Sequence, residues 1–145
     1  MARIINTGDS AAKRRHAHIR SCAEVIRLLA TRDGFDDEAK DMSAFLVYCL
    51  RGIYVSIDES AQAWDDRNYW KKSEALRQKW RWSALAADEL EELVVSGKWQ
   101  LVGPLLIGLI PHFADVNVQT ITRGPDWWVG ARTALVKQKI ESQPG

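Results

Sequence analysis

The sequence predicts an all-α fold, an antiparallel bundle of helices in one domain spanning residues 1–145. Three observations carry this. Apolar residues recur at alternating steps of three and four along most of the chain, the spacing that gathers them on one face of a helix. No segment shows the strict alternation of a half-buried strand. Net charge changes sign from one periodic segment to the next, as neighbours in a bundle require.

The first helix is expected at about 10–32. Ile19, Cys22, Ile26 and Leu29 form its stripe, Asp9 or Ser10 can cap its start, and Asp33-Gly34 ends it. The second is expected at about 36–65. Ala39, Met42, Leu46, Cys49, Ile53, Ser56, Ser60 and Ala63 make an unbroken seam, and Asp36, Asp37 and Glu38 place negative charge at the positive end of the helix dipole. The third, at about 67–96, carries Tyr69, Ser73, Leu76, Trp80, Ser83, Ala87, Leu90 and Val94 inward, and Gly97 stops it. Trp99, Val102, Leu106, Leu109 and Phe113 keep their spacing through Pro104 and Pro111. This marks a short apolar helix at about 98–113, kinked where proline removes a hydrogen bond. Val116 to Arg123 reads as an irregular connector. Gly124-Pro125-Asp126 opens a last helix at about 125–140, with Trp128, Ala131 and Leu135 inward, and SQPG as a frayed tail.

Charge fits this order. Residues 1–32 carry net +5, 33–66 net −7, 67–87 net +5, 88–96 net −4 and the remainder net +2, for a total of +1. Adjacent antiparallel helices therefore attract, although each exposed pair contributes only ~0–1 kcal/mol. A total near zero gives no global pull toward nucleic acid or anionic lipid.

Two cysteines without CxxC spacing do not make a disulfide framework, the N-terminus has no apolar signal core, and the longest apolar run is too short for a bilayer. The expectation is a cytoplasmic protein with reduced thiols and no membrane segment.

The stretch RNYWKKSEALRQKWRW, from Arg67 to Trp82, sets three tryptophans among six cations. At 100° per residue Trp80 lies on the seam, Trp70 lies opposite it in line with Arg77 and Arg81, and Trp82 lies on a flank. Trp127 and Trp128 are adjacent, so both cannot face one core. Aromatics off the seam, beside arginine, suit a protein interface. Trp70, Arg77, Arg81, Trp82 and Trp127 are the candidate partner-binding residues.

Other surfaces are candidates as well. Lys13, Arg14, His16, Arg20 and Arg27, with Lys71 and Lys72, could follow a nucleic-acid backbone, although Glu24 interrupts the stripe. Arg15 and His18 border the apolar side of the first helix, and Asp58 stands at the matching height on the second, a possible polar pocket. His18 and Cys22 are four apart, with Cys49 on the next seam, a pattern zinc could use; small core residues explain the cysteines as well. The carboxylates of EAKD (38–41) and DELEE (88–92) read as a helix start and a solvated face. The Glu-x-x-His pairs of di-iron bundles are absent, and so are phosphate-binding loops and nucleophile elbows. No arginine and histidine have the spacing of HEPN-type helical ribonucleases.

With no assembled catalytic set, no metal site and no cofactor motif, the sequence points to a non-enzymatic helical bundle. It would act by association, as a homo-oligomer, a dimer first, or as a subunit with another protein. The alternatives are an accessory subunit on a nucleic-acid backbone and a small ligand-binding or metal-dependent bundle using Arg15, His18 and Asp58.

Overall fold

The computed structural model describes residues 10–142. Asp9, one of the two expected caps, and the end of the SQPG tail lie outside the described residues. Those residues are helical or irregular, with no strand among them, and the fold is an all-α bundle.

Helix α1 (Ala11–Ala30) starts where the Ser10 hydroxyl accepts from Lys13 N at 3.1 Å. Helix α2 (Asp37–Asp65) starts where Asp36 accepts from Ala39 N at 2.8 Å. Arg32 donates to both Asp36 and Glu38, which fixes the α1–α2 corner. Helix α3 (Trp70–Ser96) begins three residues later than the spacing predicts. The reason is Asn68, which takes a left-handed conformation at φ 64°. It ends α2 with amide bonds from Asn68 to Asp65 O and from Tyr69 to Trp64 O, both 2.9 Å. Gly97, at φ 70°, ends α3 in the same manner, with Lys98 N bonded to Leu93 O.

Helix α4 (Trp99–Leu109) holds Pro104 in its early turns, and a 3-10 turn follows over Ile110–Phe113, at Pro111. The expected C-terminal helix is two pieces, α5 (Pro125–Trp128) and α6 (Ala131–Ser142). Gly130 breaks them at φ 80°, and the Asp41 carboxylate accepts from Gly130 N at 3.2 Å and Arg132 N at 3.0 Å. The apolar spacing runs through this break, which is why periodicity alone reads one helix.

Helix α2 is central and packs against α1, α3, α5 and α6. Its burial is accordingly wider than one seam: Ala44, Val47, Leu50, Ile57 and Ala61 are buried beside Met42, Leu46, Cys49 and Ile53, while Ala63 is exposed. Pairs between α1 and α2 advance along one helix as they retreat along the other: Arg14 with Glu59, Arg15 with Ser56, Arg32 with Glu38. The α2–α3 pairs behave likewise, Asp65 with Ser73 and Arg51 with Asp88. Both neighbours are thus antiparallel to α2, and the charge alternation is realised as contacts. The 3-10 turn reaches α1, and α4 lies on α3.

Candidate interaction surface

The residues expected to meet a partner separate into two groups. Arg77 is engaged inside the chain, half-buried between Asp58 (2.9 Å) and Asp65 (3.0 Å), and Asp65 also accepts from the Ser73 hydroxyl. Trp82 is covered by the chain itself. The His112 ring stacks on it at 3.8 Å and 9°, and Phe113 meets it edge-on. Trp127 lies half-buried against Phe45 with the Arg123 guanidinium 4.8 Å from its ring. Trp70, at 67% exposure, and Arg81 face outward.

Around Trp70 the α2–α3 corner forms an aromatic and cationic tip. Trp64 and Tyr69 meet at 5.7 Å, and Lys72 Nζ stands 4.7 Å from the Trp64 ring centre and 5.6 Å from that of Tyr69. Lys71 is exposed beside them.

Much of the basic stripe of α1 is occupied. Arg14 makes a bidentate pair with Glu59, both bonds 2.7 Å. Arg20 donates to the carbonyls of Asn117 and Thr120, and Arg27 to that of Val118. These arginines hold the irregular connector against α1. Glu24, which the stripe treats as an interruption, organises this attachment. It is 0% exposed and accepts from Arg20 Nε, Thr122 N and Thr122 Oγ1, each at 2.6 Å, and from Arg123 N at 2.9 Å. Burial alone would push this carboxyl up, but the bonds from Arg20, Thr122 and Arg123 hold it down at about 2. Lys13 and His16 are exposed.

The expected pocket of Arg15, His18 and Asp58 does not assemble. Asp58 stands two residues beyond Ser56, about 200° around α2, and faces Arg77 on α3. Arg15 donates instead to the Ser56 and Ser60 hydroxyls, at 3.1 and 2.8 Å, and to the Ser56 carbonyl. Burial lowers its guanidinium below the usual value. His18 turns inward, toward Gly52 and Cys49. The carboxylates at 38–41 and 88–92 also serve the fold. Glu38 accepts from Trp128 Nε1, Asp41 caps α6, and Glu91 pairs with Arg51 and Lys139. Among the described residues no group of three or more histidines, cysteines or carboxylates is arranged to hold a metal ion, and no helix is long and apolar enough to cross a membrane.

An uncovered apolar surface lies on α4 and the turn that follows it. From Trp99 to Pro111 there is no charged residue. Val102, Leu106 and Leu109 point inward and are buried. Leu101 and Ile107 of α4 and Ile110 of the turn that follows are exposed by 48%, 69% and 48%. A Cβ added to Gly103 or to Gly108 would meet nothing within 4 Å. Beside this face an apolar groove of about 300 Å³ runs between α1 and the end of α4, lined by Ile26, Ala30 and Ile110 with Phe113 and Val116. The spacing 99, 102, 106, 109, 113 identifies the inner face; the composition of the other positions, apolar or glycine except Gln100 and His112, was the available signal for the outer one. No family model, no curated protein and no solved structure matches the chain.

Proposed function

We propose that the protein works by association, and that two copies join through the outer face of α4. The observation that carries this is the apolar character of α4 on both sides: its inner residues are in the core, and Leu101, Ile107 and Ile110 stand in solvent. Surface hydrophobics scattered singly need no partner, but a charge-free segment exposing Ile107 and Ile110 side by side, with Leu101 about one and a half turns before, has the character of an interface. Helical glycine costs ~1 kcal/mol relative to alanine, and the chain's own packing does not use the space at Gly103 or Gly108. That space lets a second helix approach closely. A second copy is the occupant favoured by charge. An uncharged face meets itself without repulsion, the self-complementarity a two-fold dimer needs, and each chain carries only net +1. Trp70 and Arg81, on the first half of α3, form a separate outward surface for a further protein contact.

Size-exclusion chromatography with light scattering on two variants tests this assignment. Ile107→Glu places a charge in the centre of the proposed contact and is expected to weaken association about a hundredfold, since ~2.7 kcal/mol is well within the cost of burying an unpaired charge. Trp70→Ser is expected to leave the dimer intact. A dimer that survives Ile107→Glu, or one that is lost with Trp70→Ser, moves the interface away from α4.

A further inference from the structure

The contact between α1 and α2 holds two buried thiols that association through α4 does not use. Cys22 lies one turn beyond His18 on α1, and Cys49 lies one turn before Gly52 on α2. Because the helices are antiparallel, the four residues meet at one level. Gly52 makes the room: a Cβ at that position would stand 2.5 Å from His18 Nε2, so any larger residue would displace the ring. Cys22 and His18 both lie beside Cys49 at this level. Cys22 is 0% and Cys49 3% exposed, while His18 is half-buried, with its ring against Gly52.

Packing accounts for two small residues at these seam positions, and alanine would serve as well. It does not account for an imidazole packed onto a glycine beside the two thiols. The two sulfurs are also not equivalent. Burial alone would push both thiols up, and it does so for Cys22. At Cys49 the neighbouring Cys22 and His18, with the charge of Arg123, outweigh burial and bring the thiol below its ordinary value. An attacking thiol with thiolate character beside a protonated second thiol is the arrangement of a reactive and a resolving cysteine.

We propose that Cys22 and Cys49 are an oxidisable pair, which a hydroperoxide converts to an intramolecular disulfide joining α1 to α2. Cys49 gives its proton to His18 and its thiolate attacks one peroxide oxygen. The S–O bond forms, the O–O bond breaks, and the departing hydroxide takes the proton back from His18 as water. The Cys22 sulfur then attacks the sulfenic sulfur of Cys49. The S–S bond forms, the S–O bond breaks, and hydroxide leaves with the Cys22 proton as a second water. Two thiols are oxidised by two electrons and one peroxide is reduced to two waters. The closed loop restricts the unfolded chain, so the oxidised protein is the more heat-resistant form.

The test uses the whole folded chain and hydrogen peroxide, followed by thiol trapping and mass spectrometry. The expected product is a monomer about 2 Da lighter, with Cys22 and Cys49 in one linked peptide, restored by dithiothreitol. Its melting point should lie above that of the reduced chain. Cys49→Ser should abolish the product, and His18→Gln, checked for folding by circular dichroism, should slow its formation about tenfold. Thiols that react only after denaturation, stable sulfinic acid at Cys49, or links between chains in place of the internal one would each overturn the proposal.

Discussion

Glu24 shows how one side chain decides the placement of a whole segment. The connector after the 3-10 turn has few apolar anchors, and it is fixed by its amides and hydroxyl meeting a buried carboxylate. The folded carboxyl titrates at about 2, below its ordinary 4.5, so its contribution is complete above pH 4.5 and is lost as pH falls toward 2. That difference corresponds to about 3 kcal/mol. Urea unfolding at pH 7 and pH 3 should show the loss in the wild type, and Glu24→Gln should be less stable at pH 7 by about 2–4 kcal/mol, with a flatter pH dependence. Gly52 gives a second expectation. Gly52→Ala gains helix propensity of ~1 kcal/mol but must displace the His18 ring, at a cost of ~1–3 kcal/mol. The net outcome in thermal unfolding is expected to be a modest destabilisation, and a more stable variant would mean the ring relocates at no cost. Sequence spacing marks Glu24 only as a break in a basic stripe. Its role depends on Thr122 and Arg123, about a hundred residues away, and no local pattern encodes that meeting.

At the scale of elements, the three long helices were legible because burial follows their periodicity: Cys22, Ile26 and Leu29 on α1, Met42 and Ile53 on α2, Ala87, Leu90 and Val94 on α3 are all buried. The ends were less so. Asn68 in the left-handed region starts α3 later than the apolar spacing suggests, and Gly130 divides a helix whose stripe continues across it. Glycine at 130 was the readable signal, and Asp41 completes it as the cap of α6. Asp41→Ala should destabilise the chain by about 1 kcal/mol, with amide exchange accelerating in α6 before α1. Uniform acceleration across both helices would argue against a local capping role. The tryptophans divide along the same line. Trp80 was placed on the seam by spacing, whereas Trp82 is covered by His112 and Phe113, which only the folding of α4 back onto α3 brings there.

For the whole molecule, alternating charge and a central helix buried on several sides account for the bundle, and they leave the outer side of α4 without a partner among the described residues. Its lack of charge was plain in the sequence. Whether its outer side is covered depends on tertiary placement, which leaves Leu101, Ile107 and Ile110 in solvent. An interface of this composition should tighten or stay constant as salt rises, whereas a phosphate-backbone contact through Lys13, His16 and Lys71 would weaken steeply. Sedimentation equilibrium of the reduced wild-type chain, over a wide concentration range at low and high salt, tests the central claim most directly. The expected result is a concentration-dependent approach to twice the chain mass of 16.4 kDa, undiminished by salt. A species that stays at 16.4 kDa at every concentration and both salt levels would contradict self-association through α4.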